Sequence, residues 1–353
     1  MKNNVIISKL DIANFRGLNN VVIDDLSNIN IFVGANNCGK TSVLEAVKIL
    51  GEPTNFGKFL QLALFRSHAS PAAKNKNLIH YVTNIFQKID EDDISHYHYK
   101  IGAIINKQQH DYEADGVLGE ISDSLGDTTQ TLDVTIMSTI EGEKKKYSEY
   151  RIANGKNNQF VSTIKPNFDG IYLHSELNYY RSCCVHLTHY IRNVGKEEIL
   201  QLLRSFDSNI TDISIIGEDI YLHNRISGTM PLFSYGLGLQ KAVLITSVIV
   251  YCKNGIILVD EIDNAIHVSA FEEVFHWFVD TCLKYNVQAF ITTHSAEAID
   301  AMLKVSRGFY TDNDPLKIIT MRKSCKSNAT FLKIRTGEEA YQDREKYRME
   351  LRV

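Results

Sequence analysis

Six cysteines stand in the 353 residues, at Cys38, Cys183, Cys184, Cys252, Cys282 and Cys325, yet no Cys-x-x-Cys pair occurs. That spacing excludes a disulfide framework and points to a reducing compartment. The cluster Cys183, Cys184, His186, His189 has no second ligand pair at finger-like spacing, and adjacent cysteines rarely share one ion, so zinc is not expected there. The opening stretch MKNNVIISKLDIANFRGLNN is interrupted by Lys9, Asp11 and Arg16 and holds no signal-peptide core. The longest apolar run of the C-terminal half, AVLITSVIVYC, is too short to cross a bilayer. A soluble, cytoplasmic protein with no membrane partner is therefore expected. A net charge of -4 supplies no global basic field to draw the whole molecule onto DNA, although it leaves room for a local basic patch. There is no internal repeat, no low-complexity tract and no sustained heptad pattern, which excludes a long coiled-coil arm.

With 44% hydrophobic and 23% charged residues, the chain can build a core for one large or two small domains. Residues 4–13 and 20–26 alternate apolar and polar, which predicts an antiparallel hairpin turning at NFRGLNN. The run INIFV, 29–33, is solidly apolar, as in a strand buried on both faces. Val43, Val47 and Leu50 then share a helical face, and Gly51 and Pro53 stop the helix. Residues 54–90 read as mixed and helical, and residues 96–165 as an antiparallel meander. A helix is predicted over GKEEILQLLRSF, with Ile199, Leu202, Leu203 and Phe206 on one stripe. GIILVD (255–260) and QAFITTH (288–294) read as buried strands joined by a helix around 269–284, which implies a parallel sheet.

Gly34-Ala35-Asn36-Asn37-Cys38-Gly39-Lys40-Thr41, followed by Ser42, fits G-x-x-x-x-G-K-[ST] between a predicted buried strand and a predicted helix. Glycines let the backbone approach phosphate oxygens closely. Consecutive amides and the helix N-terminus bind the anion. Lys40 would reach the β- and γ-phosphates of ATP, and the Thr41 hydroxyl would ligate Mg²⁺. Asp260 ends a buried strand, so its carboxylate should emerge at the sheet's C-terminal edge, placed to contact Mg²⁺ from the ion's outer coordination sphere. Glu261 follows as the natural general base for an attacking water. His294 ends another buried strand, where it could orient the γ-phosphate or the water, and Ser295 begins a helix.

Ser234, Gly236 and Gly238 in LFSYGLGLQKAV stand directly before a helix, shortly upstream of the Asp-Glu strand. This order resembles the signature motif of ABC-type ATPases, which serves the nucleotide of a second subunit. Nearly the whole chain resembles a stand-alone ATPase of the AAA15/AAA21 type, the OLD-like branch of the ABC superfamily related to RecF, Rad50 and SMC heads. ISKLDIANFRGLNNVVID resembles its opening hairpin, DSNITDISII its pre-signature segment, and GEEAYQDREKYRMELR its tail.

The resemblance implies an α/β P-loop NTPase fold of the ABC-ATPase type, with a mixed central sheet, an antiparallel β subdomain and a helical insertion. It implies one ATPase domain over 1–353, an insertion over about 54–190 and a signature-to-catalytic core over about 228–300. Arg16 resembles the arginine that meets nucleotide in Rad50-like heads, with a solvated hairpin arginine as the alternative. Gln61 and Gln87 are the candidates for the glutamine loop. The signature reads SYGLGLQ, not the transporter form SGGQ. Ile262 to Val268 stand where the family often has Glu-Asn-Gly-Leu-His-Pro.

OLD proteins proper carry a C-terminal Toprim nuclease; about 60 residues follow His294 here and show no second acidic set, so no nuclease centre is expected in this chain. Three readings follow. In the first, ATP joins two copies as a dimer or larger homo-oligomer, a nucleotide-gated switch of anti-phage (abortive infection) type governing a separate nuclease or toxin. The second is a RecF-like ATPase clamping nucleic acid, with KKK at 144–146 and RKSCKS at 322–327 as basic runs. The third, a transporter subunit, is disfavoured by the meander and the signature form.

Overall fold

A computed structural model of the chain describes residues 5–66, 71–88, 95–122, 127–155, 166–173, 179–217, 219–309, 314–324 and 329–352. It opens with the hairpin β1 (Ile7–Phe15) and β2 (Leu18–Ile23). The turn is tighter than predicted: only Arg16 and Gly17 lie between the strands, with Arg16 at φ 51°. β3 (Ile29–Gly34) is buried at every position and runs straight into the glycine loop. α1 (Lys40–Gly51) starts at the loop's lysine and buries Val43, Val47 and Leu50. Then come α2 (Phe56–Phe65), α3 (Pro71–Lys76), α4 (Leu78–Thr83) and the two-residue β4 (Gln87–Lys88). The meander is β5 (His96–Ile105), β6 (Gln108–Ser122), β7 (Thr128–Ile140) and β8 (Glu143–Ala153).

β9 (Gly170–Leu173), α5 (Tyr179–Asn193) and α6 (Glu197–Phe206) follow. β10 (Ile210–Ile216), β11 (Asp219–Asn224) and β12 (Gly228–Pro231) make a small antiparallel sheet. The C-terminal part is α7 (Leu237–Tyr251), β13 (Ile256–Val259), α8 (Phe271–Lys284), β14 (Gln288–Thr292), α9 (Ala296–Ser306), β15 (Leu316–Lys323), β16 (Thr330–Thr336) and α10 (Gly337–Tyr347). Among the described residues no helix is long and apolar enough to cross a membrane.

The central sheet has the order β16-β15-β3-β14-β13-β9. Only β15–β16 is antiparallel; its other pairings are parallel. Its inner strands β3, β13 and β14 are covered on both faces, which is why they read as unbroken apolar runs. Ile31, Val33, Ile257, Val259 and Ile291 join one core with α6 to α9. Phe32, Ile256, Leu258, Phe290 and Ile319 join a second core with α1, α2 and the antiparallel sheet. That sheet, β2-β1-β5-β6-β7-β8 with β4 against β5, unites the opening hairpin with the meander. The register Ile12↔Ile101 makes the junction, a pairing across about 90 residues that local alternation does not encode.

Candidate active site

Four neighbouring strands deliver the functional side chains, because ligands of open α/β sheets sit at the C-terminal strand ends. β3 leads into the glycine loop, β13 into Asp260-Glu261, β14 into Thr293-His294, and β15 ends at Lys323. Together they border a cavity of about 580 Å³, a size suited to one nucleotide. Its wall holds Asn36, Asn37, Gly39, Lys40, Thr41, Ser42, Asp260, Glu261 and His294 from the sequence reading. It also holds Gly17, Arg66, Thr292 and Lys323, none of which that reading assigned to it.

The loop needs its glycines. Gly39 has φ 103°, and a Cβ on it would lie 2.3 Å from Leu18 Cδ2 of the hairpin. α1 has no side-chain cap and no acidic residue in its first turn, so the first amides remain open to an anion. Lys40 Nζ donates to Gly34 O and Ala35 O, both at 2.9 Å, arching over the loop it serves. Burial pulls its pKa below the usual lysine range. Cys38 is buried, its Sγ 3.7 Å from Lys40 Nζ, so this residue can offer a ligand only its backbone.

Thr41 Oγ1 lies 3.2 Å from each carboxylate oxygen of Asp260 and donates to them. Thr292 Oγ1 donates to Asp260 Oδ1 at 2.6 Å and accepts from the Glu261 amide at 2.8 Å. Thr292 thus fixes both acidic residues, and the one hint in the sequence is a hydroxyl closing an apolar strand. Glu261 has φ 52°, a left-handed conformation that L residues adopt only when surrounding structure enforces it.

Glu45, fully buried on α1, collects two arginines. Arg66 grips it bidentately through Nε at 2.9 Å and Nη2 at 2.8 Å. Arg16 Nη2 donates to Oε1 at 3.2 Å. Burial raises the Glu45 pKa, with both guanidinium groups opposing it. Arg16 therefore sits behind the cavity, not in its wall, and is not the solvated hairpin arginine of the alternative reading. Gln61 is exposed on α2 outside the cavity, and Gln87 lies in β4 with its side chain outside the described set.

His294 borders the cavity. Burial, and then the neighbouring Lys40, pull its pKa below the usual histidine value of about 6.5. The ring is neutral at pH 7 and protonates only as pH falls below that value. ATP turnover is therefore expected to decline on the acid side with its midpoint below 6.5. In a pH–rate series, His294→Gln should remove that acid limb; a limb centred at 6.5 that survives the substitution contradicts the assignment.

Ser234 ends a 3₁₀ turn and Gly236 caps α7; both are exposed and outside the cavity of their own chain. Phe233 and Leu237 on either side are 57% and 59% exposed. Gly238 serves packing: a Cβ there would lie 2.8 Å from Ala265 O. His186 and His189 face the Tyr251 ring, and the side chains of Cys183 and Cys184 lie outside the described set.

A glycine loop at a helix N-terminus, joined through Thr41 to a strand-end aspartate, defines a P-loop nucleotide hydrolase. The chain belongs to the family described as "AAA ATPase domain", which matches residues 6–187, and is an ATPase. A second family, described as "AAA domain, putative AbiEii toxin, Type IV TA system", matches residues 156–300. An ATP/GTP phosphatase of Helicobacter pylori is 26% identical over 336 residues, covering 85% of this chain and 88% of that protein.

Among solved structures, an SMC head bound to the C-terminal winged-helix domain of ScpA has a TM-score of 0.55 at 12% identity. The match covers 96% of this chain and all of that one. A Pyrococcus furiosus SMC head with an extended coiled coil, bound to the C-terminal domain of ScpA, has a TM-score of 0.52 at 11% identity, covering 98% and 100%. The fold is that of the ABC-type SMC head.

Proposed function

We propose that the protein hydrolyses ATP as a nucleotide-gated switch between copies of itself, each nucleotide bound by the lysine loop of one copy and the serine turn of its neighbour. The observation that carries this reading is the placement of Ser234 and Gly236: exposed, flanked by exposed Phe233 and Leu237, and away from the phosphate loop of their own chain. A single chain leaves the exposed end of its nucleotide cavity without these groups.

The donor set fits a magnesium ion, since Thr41 and Asp260 present hydroxyl and carboxylate oxygens within 3.2 Å of each other. Thr41 and Asp260 would hold it, and the bound ion neutralises charge on the triphosphate. Lys40 turns from the loop carbonyls toward phosphate oxygens, and the open amides of α1 bind beside it. Glu261 accepts a proton from the water whose oxygen attacks the γ-phosphorus. Neutral His294 orients that water or the γ-phosphate, and the bond to the bridging oxygen of ADP breaks.

Ser234→Arg tests the shared site. It should abolish ATP-induced dimerisation and cut turnover by about 10²-fold, with single-copy ATP affinity retained. Turnover at the wild-type rate by a monomeric variant would sink the reading.

Control of a separate nuclease or toxin is supported by the OLD-like resemblance; the second family's description ties this domain type to a toxin–antitoxin system, with the domain itself as the "putative AbiEii toxin". Co-purification with mass measurement checks it. The DNA-clamping alternative loses support at one of its two basic runs, because Lys323 borders the nucleotide cavity and donates to Gly17 O.

A further inference from the structure

Lys241 lies seven residues after Ser234 on α7 and is 1% exposed. Its ammonium donates to Glu261 O at 2.6 Å and to Asn264 O at 2.8 Å. Those carbonyls belong to a turn with two non-glycine residues at positive φ, Glu261 at 52° and Ala265 at 66°. Such a turn persists only where its surroundings hold it. The Glu261 amide is tied to Thr292 of β14, so Lys241 supplies the tie on the residue's other side. Asp263, in the same turn, accepts from Thr293 Oγ1 beside His294. Independently, the start of α7 is pressed onto this turn at Gly238, against Ala265 O. Asp263, Glu261 and Asp260 surround the ammonium with negative charge, and burial lowers its pKa to about 8.

We infer that Lys241 is a positioning residue for hydrolysis: it locks the backbone that aims the Glu261 carboxylate, and it connects that base to the helix that starts just after the signature serine. The inference rests on Glu261 being the general base. Lys241 itself touches no nucleotide, since it lies outside the cavity wall. Removing it lets the turn relax, and a misplacement of about 1 Å at a reacting group costs about 10²-fold in rate.

The test is Lys241→Met, which keeps the length and removes the donors. The expected result is a fall in kcat of about 10²-fold with ATP affinity unchanged within about threefold. The double variant with Glu261→Gln should turn over no more slowly than Glu261→Gln alone. A kcat at the wild-type level, or a double variant in which the two losses multiply, overturns the inference. If Lys241→Met does not fold, Lys241→Arg keeps the buried charge while displacing the donors, and the same split is read on it. Wild-type turnover by Glu261→Gln would instead sink the general-base reading. An inactive Glu261→Gln beside a normal Lys241→Met would sink only the role of Lys241.

Discussion

Glu261→Gln is expected to slow ATP hydrolysis by about 10³-fold while leaving ATP affinity within about threefold of wild type, because a positioned general base contributes about 10²- to 10⁴-fold. The substitution is isosteric and removes only the capacity to accept a proton. The Glu261 amide keeps its bond to Thr292, and the Glu261 carbonyl keeps its bond from Lys241. Thr41 and Asp260, which would hold magnesium, are untouched. A glutamine adopts φ 52° about as readily as a glutamate, so the turn retains its shape. Binding without turnover should then accumulate the ATP-joined oligomer, seen as a nucleotide-dependent shift in solution mass. A variant that turns over normally would remove Glu261 from the chemistry. A variant that binds ATP, fails to hydrolyse it and stays monomeric would leave the base intact and remove the switch.

What the sequence revealed about the site follows from how local each signal is. The glycine loop, Asp260-Glu261 and His294 are each announced by a buried strand that ends abruptly in polar residues. Strand and motif are neighbours in the chain, so pattern and chemistry are read together. Glu45, Arg66 and Lys323 carry no such context. Glu45 is one acidic residue on an amphipathic helix, and its burial between two arginines follows from the packing of α1 and α2 beside the hairpin. Lys323 reads as the start of a basic surface run, and only the parallel register of β15 on β3, with Met321 opposite Gly34, brings it to the cavity. Lys241 is hidden for a related reason. It interrupts an apolar helix, and its partners are backbone carbonyls that no side-chain pattern encodes. The fold divides similarly: single strands and helices were legible, while the pairing of β1 with β5 and the small sheet of β10 to β12 were not.

Gly34→Ala is expected to be the most damaging single-methyl change in the glycine loop, costing more than about 4 kcal/mol or preventing folding, beyond the usual range of point substitutions. Gly34 has φ 145°, and a Cβ built on it lies 2.2 Å from Met321 O, 3.2 Å from Met321 C and 3.0 Å from Cys38 Sγ. The first two are backbone atoms of β15, paired with β3 at this position and buried between two layers. No rotamer change relieves the clash; β3 and β15 must separate or the loop must leave its place. Either movement also strips Lys40 of the Gly34 carbonyl that holds it. Gly142→Ala is the matched control. Gly142 has φ 78° with nothing within 4 Å of its Cβ position, so it carries only the conformational penalty of about 1–2 kcal/mol. Urea unfolding separates the two: the Gly142 variant should move the midpoint slightly, and the Gly34 variant should unfold before any denaturant or at a small fraction of the wild-type midpoint. Equal midpoints would mean that β15 gives way at little cost, and that the loop's first glycine is needed for nucleotide alone and not for the sheet that carries it.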